Sequence, residues 1–168
     1  MEAIISGGPT IDSLLLCTDG SFNVVDGGWG WVISYGGKLH TGYGKVDSAI
    51  GVTDMEKLAM CHGLIGVQQF EPQTVYWFSD DKHLTDSVKA YMKGKPSKLP
   101  DWVLEQIDHV KELGFKIIVN KVQGHPKNVA GISYFAALFK IADTLSKKYR
   151  NEKINTPFTV PELTDTFM

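Results

Sequence analysis

Leu14-Leu15-Leu16-Cys17-Thr18-Asp19-Gly20-Ser21 is the stretch on which the reading of this chain turns. Four apolar residues in a row, followed by a polar break, predict a short strand buried on both faces. Asp19 follows almost at once, where such a strand would carry it into the interior. A buried carboxylate is costly unless it is paired or bound to a metal. Gly20 and Ser21 then turn the chain and leave room for a ligand close to the backbone. An Asp-Gly after a strand is also an ordinary turn, so the stretch gains meaning only if other acids converge on Asp19.

The remainder of the 168 residues supplies candidates. Residues 1–13, with Gly7-Gly8-Pro9, read as a leader, and Phe22–Gly28 as a loop with an Asp-Gly-Gly turn. Trp29–Tyr35 and Leu39–Val46 read as strands joined by a Gly36-Gly37 hairpin turn. A helix is expected from Thr53 or Asp54, acting as N-cap, to about Phe70, with Met55, Leu58, Ala59, His62, Ile65, Gly66 and Gln69 on one face. Thr74–Phe78 is a fourth strand ending at Ser79-Asp80, which repeats the first strand's pattern of apolar run, hydroxyl and acid. Helices follow over about Lys82–Lys93 and from Pro100-Asp101-Trp102 to a Gly114 C-cap. Lys116–Val122 is a fifth strand, Gln123–Pro126 a loop, and Ile132–Lys148 a closing helix with Phe135, Leu138, Phe139, Ala142 and Leu145 inward. Residues 151–168 read as an irregular tail. The order β-β-β-α-β-α-α-β-α predicts an α/β domain over residues 14–150, with three antiparallel strands extended by two parallel ones through helical crossovers. Sites in such sheets lie beyond the carboxyl ends of the parallel strands, where Asp19 and Asp80 fall.

Composition narrows the class without naming a partner. Hydrophobic residues at 43% and charged residues at 21% fit a globular domain large enough to bury a core. No charged leader with an apolar run and no apolar run of membrane length is present, so a cytoplasmic, non-membrane protein is expected. Cys17 and Cys61 lack metal-type spacing and read as free buried thiols; Cys61 and His62, adjacent on a helix, cannot turn to one ion. A formal charge of −2 does not suggest a nucleic-acid binder, yet if four acids are drawn into one site the remaining surface is slightly basic.

Four acids stand out: Asp19, Glu56, Asp80 and Asp143. Glu56 alone would pass as a first-turn acid and Asp80 as a helix cap beside Asp81. Asp143 is the sole acid from Gln123 to Thr144 and sits among Ile141, Ala142 and Leu145, which is more simply explained by a buried partner. Gathered carboxylates repel and take up protons unless a cation holds them. Oxygen ligands without His or Cys point to Mg²⁺ or Mn²⁺, and a pair of such ions suits in-line displacement at phosphorus.

Six short pieces, Thr18-Asp19-Gly20-Ser21, Gly27-Gly28-Trp29-Gly30, Met55-Glu56-Lys57-Leu58, Phe78-Ser79-Asp80, Val122-Gln123-Gly124-His125 and Ile141-Ala142-Asp143-Thr144-Leu145, occur in an order that resembles the type 1 ribonuclease H family. The resemblance implies a five-stranded mixed sheet with helices on both faces. It also implies an endonuclease that cuts the RNA strand of RNA–DNA hybrids with two Mg²⁺ ions (or Mn²⁺), leaving 5′-phosphate and 3′-hydroxyl. Asp19, Glu56, Asp80 and Asp143 would be the ligands, and His125 the loop histidine that assists proton transfer or product release. Gly20, Ser21 and Thr53 would lie against the RNA, where 2′-hydroxyl contacts separate RNA from DNA. Lys82 would also face substrate, at a place where the family commonly has Gln. Val52 and Thr53 stand where Asn residues are frequent, the loop after Ser21 is short, and the His125–Asp143 segment is longer than usual. These departures leave open hydrolysis of other structured or single-stranded nucleic acid, or a non-catalytic binding module. Ser21, rather than an acid, two residues after Asp19 argues against a two-carboxylate exonuclease.

Lys89, Lys93, Lys95 and Lys98 fall in an acid-free run of ten residues with Tyr91, and either contact DNA phosphates or form a solvated helix end. A monomer is expected. The tail, with Phe158, Val160, Leu163 and Phe167, either folds back or docks on a replication protein.

Overall fold

The computed structural model describes residues 13–23, 26–46, 51–122 and 133–151, with side chains of the last helix described over 137–148. The expected leader but for Ser13, the loop carrying His125, and the tail but for Asn151 lie outside the described residues; Ser13 opens the first strand and Asn151 closes the last helix. Leu14 and Leu16 of β1 (Ser13–Asn23) point into one core with Trp29, Trp31 and Ile33, while Leu15 and Cys17 point into another with Val32 and Phe78. That alternation is what a strand between two helical layers requires, and it explains the unbroken apolar run. β1 is the centre of a sheet in the order β3-β2-β1-β4-β5. It pairs antiparallel with β2 (Asp26–Tyr35), which pairs antiparallel with β3 (Lys38–Val46). On its other side it pairs parallel with β4 (Thr74–Ser79), and β4 parallel with β5 (Lys116–Lys121). The expected mixed sheet is therefore present.

Among the described residues four helices cover it. α1 (Val52–Val67), α2 (Lys82–Met92) and α3 (Asp101–Glu112) share the larger core, to which α2 adds Leu84 and Val88 and α3 adds Val103, Ile107 and Val110. α4 (Ser133–Asn151) lies on the opposite face, with Leu138 and Ala142 against Leu15, Cys17 and Phe78. Cys17 and Cys61 are free and buried, as expected. No described helix is long and apolar enough to cross a membrane.

Three expectations need correction. Phe22–Gly28 is not a loop: Ser21, Phe22 and Asn23 pair with Gly28, Gly27 and Asp26, so both strands run nearly to their connection. Neither Thr53 nor Asp54 caps α1. The helix begins at Val52 behind an extended Gly51 with no side-chain cap, and Asp54 sits within the first turn, where its charge suits the helix dipole. The same helix ends at Val67; Gln68 and Phe70 continue through i→i+3 bonds to Ile65 and Val67 rather than as α-helix. Its buried positions also include Met60, Cys61, Gly63 and Leu64 beyond the expected face, because it is wedged between the sheet and α3.

Candidate metal centre

Asp19 is delivered by strand parity. Residues 15 and 17 face α4, so residue 19 faces it too, at the end of the apolar run, and its side chain is buried. The parallel register of β1 on β4 sets Cys17 opposite Phe78, and two residues further on Asp19 comes alongside Asp80. The capping duty suspected of Asp80 belongs to its neighbour. Asp81 is the α2 N-cap and accepts from the Leu84 N–H at 2.9 Å, leaving Asp80, just past β4 and half-buried, turned to the cluster.

Glu56 arrives from α1 because β1 lets that helix come close. A Cβ on Gly20 would lie 2.5 Å from the Glu56 nitrogen, a distance no side chain tolerates. The space that the sequence suggested for a ligand is filled by the first turns of α1. The Gly20 N–H donates to Glu56 Oε1 at 3.1 Å. Glu56 Oε2 is buried and has no hydrogen-bond partner. Ligand oxygens of Asp19, Glu56 and Asp80 all lie within 4.8 Å of one another.

The fourth acid joins from the opposite layer. Asp143 of α4 brings its carboxyl within hydrogen-bonding reach of Asp19. Lys147, one turn on, stands 3.1 Å from Asp143 Oδ1 and 3.2 Å from Oδ2. Three elements thus bring Asp19, Glu56 and Asp80 into one group, and a fourth, from the opposite face of the sheet, sets Asp143 against Asp19.

The electrostatics show what that costs. Burial pushes the Asp19 carboxyl well above the usual carboxylate range, and the Asp143 carboxyl and the charge of Asp80 push it further. Burial raises Glu56 as well, followed by the charges of Asp19 and Asp80. Ionised together, these groups need a cation. A divalent ion fits the residues present. The donors are hard oxygens, one of them an orphaned buried acceptor, and all lie within 4.8 Å of one another, near enough to turn to one ion.

The remaining candidates are dispersed. Thr53 is exposed on the first turn of α1. Ser21 is buried, and its hydroxyl donates to the Ser146 carbonyl of α4 at 2.6 Å. Lys82 is exposed and paired with Asp86 at 2.7 Å along α2. Lys89 and Lys93 at the end of α2, and Lys95 and Lys98 just beyond, are all exposed. Tyr91 among them turns instead to Asp108 of α3, its hydroxyl 2.7 and 2.8 Å from the two carboxylate oxygens. His125 is outside the described residues. Two residues at the site were not anticipated: Lys147, readable from its i+4 spacing after Asp143, and Ser146, for which the sequence carries no signal.

No protein-family model and no curated protein matches the chain. Solved structures do. RNase H1 from the halophilic archaeon Halobacterium salinarum is 17% identical with a TM-score of 0.57, over 83% of this chain and 98% of that one. The N-terminal RNase H domain of rv2228c from Mycobacterium tuberculosis, solved as a fusion with maltose binding protein, is 17% identical at 0.60, over 81% and 97%. LC11-RNase H1 in complex with an RNA/DNA hybrid is 16% identical at 0.59, over 82% and 99%. This chain has the ribonuclease H fold. In that ribonuclease H architecture the acids sit where the central parallel strands end, on the side of the sheet that the expected order identified.

Proposed function

We propose that this chain is a type 1 ribonuclease H, an endonuclease that hydrolyses the RNA strand of RNA–DNA hybrids to leave 5′-phosphate and 3′-hydroxyl ends. The observation that carries the reading is the buried, partnerless Oε2 of Glu56, facing two further acids in a fold shared with an RNase H1 solved on a hybrid. Asp19, Glu56, Asp80 and Asp143 would hold two Mg²⁺ ions, with Mn²⁺ able to substitute. Such ions, when bound, supply a water activated for attack and charge stabilisation at the leaving oxygen.

The chain's own residues prepare the site. The Gly20 N–H fixes one oxygen of Glu56 and leaves the other for a ligand. Lys147 offsets part of the charge on Asp143. Thr53, exposed three residues before Glu56, is the side chain best placed to meet a 2′-hydroxyl, because the Gly20 N–H and the Ser21 hydroxyl are engaged inside the protein. His125 would move a proton at the scissile phosphate or speed product release. Lys89, Lys93, Lys95 and Lys98 would meet the DNA backbone. Free buried thiols at Cys17 and Cys61 accord with action in a reducing cytoplasm.

One observation keeps a second substrate in play. Lys82, two residues after Asp80, offers an exposed ammonium paired with Asp86 where the ribonuclease H family commonly has Gln, so it would meet a substrate by charge rather than through an amide. Labelled RNA–DNA hybrid, duplex DNA, duplex RNA and single strands, each incubated with Mg²⁺ and with a chelator control, decide the matter. The expected result is metal-dependent cutting of the RNA strand in the hybrid alone. Cutting that survives chelation, or no cutting of any substrate, refutes the proposal.

A further inference from the structure

Ser21 was expected to touch nucleic acid, yet its hydroxyl lies inside the protein. It donates to the Ser146 carbonyl across 125 positions of sequence, and both residues are buried. The Ser146 hydroxyl in turn donates to the Asp143 carbonyl at 2.7 Å. A chain of two hydrogen bonds therefore runs from β1 to the backbone that carries the fourth acid. Beneath it, β2 is stripped of side chains. A Cβ on Gly28 would stand 2.0 Å from the Ser146 oxygen, and one on Gly30 would stand 2.7 Å from both the Ala142 oxygen and the Ser146 nitrogen. The rungs coincide with the site: Gly28 pairs with Ser21, and Gly30 pairs with Asp19 itself. The two rungs that place Asp19 thus also set the depth of α4.

We infer that Ser21, acting through Ser146 on a floor of Gly28 and Gly30, is a positioning residue that holds Asp143 against Asp19 and so tunes the divalent-ion site that Asp143 completes. The inference rests on the proposed two-ion reading. Asp19, Glu56 and Asp80 are delivered by β1, α1 and the end of β4, none of which depends on the Ser21 hydroxyl. Loosening α4 therefore affects the two ions unequally. An ion held by Asp19, Glu56 and Asp80, which lie in one group, would keep its affinity, and an ion that draws on Asp143 would lose it. Removing outer support of a ligand costs metal sites about tenfold or more.

Calorimetric titration of the full chain with Mn²⁺ alone, followed by Mg²⁺-dependent hydrolysis, tests this. Ser21→Ala is expected to bind the tighter ion as before and the weaker one about tenfold less well. Its kcat should fall at limiting Mg²⁺ and recover as Mg²⁺ is raised, with KM for hybrid unchanged. Ser21→Thr, which keeps the hydroxyl, should restore the weaker site, and Gly30→Ala, which lifts the helix, should lose it. A raised KM with unaltered Mn²⁺ binding would make Ser21 a substrate contact and overturn the inference, as would two unchanged affinities. Wild-type protein that binds no Mn²⁺ overturns the two-ion reading itself, and this inference with it.

Discussion

Asp19→Asn separates the cost of the site from its use. Asp19 has an ordinary carboxyl value of 3.8, and burial with the neighbouring acids pushes it up to about 8. Between those values the metal-free native state holds a proton that the unfolded chain has released. Stability attributable to this group is therefore fully present below pH 4 and is lost as pH rises through the raised value. Four units at ~1.4 kcal/mol each would amount to ~6 kcal/mol. A proton on Asp19 also relieves Glu56, so about half, ~3 kcal/mol, is a fair share for one residue. For a chain of this length that is a rise in Tm of roughly 6–12 °C. Thermal unfolding in a chelator should show the variant matching wild type near pH 4 and surpassing it increasingly toward pH 8. With Mg²⁺ the order should reverse: wild type gains stability by mass action, the variant gains little and cleaves nothing. A variant less stable than wild type at pH 8 without metal would refute the burial argument. Full cleavage by the variant would refute the ligand role.

Other expected outcomes follow from single contacts. Gly20→Ala forces a methyl against the α1 backbone and should destabilise the fold by several kcal/mol in denaturant titration, with loss of Mg²⁺ binding even where folded protein remains. His125→Ala should slow turnover without abolishing it, read as single-turnover and steady-state rates on labelled hybrid; an unchanged rate makes it an ordinary loop residue. Replacing Lys89, Lys93, Lys95 and Lys98 by Gln should weaken hybrid binding and reduce the slope of log K against log salt by about one for each phosphate contact removed. An unaltered slope assigns the four to solvent.

The fold was legible because its signals are local. The apolar run of β1, the Gly36-Gly37 turn and the acid closing β4 each speak through neighbours in sequence. What was misread depends on partners distant in the chain. Gly28 looks like a loop residue until α4 is seen lying where its side chain would be. α1 shows a helical face in its sequence but is buried further round, because α3 covers it from outside the sheet. Asp143 was found by its isolation among apolar residues, whereas Ser146, three positions on, is a common residue in a common place. Its two hydrogen bonds give no compositional trace.

That difference follows from what each kind of residue costs. A buried carboxylate is expensive alone, so its presence in an apolar run already implies partners, and the four acids can be paired by cost before any geometry is known. A buried hydroxyl is cheap, since a helix carbonyl within reach satisfies it. The chain can therefore use serines to aim an acid without leaving a mark. The sheet register links the two. A slip of one residue between β1 and β2 would turn Asp19 to the face of α1, away from Asp143, and would set Ser21 against the wrong rung. Trp29, Trp31, Leu14 and Leu16, all fully buried, oppose that slip because it would turn their large side chains out of the core. The aromatic core on the α1 face of the sheet is thus what keeps Asp19 turned to Asp143 on the other.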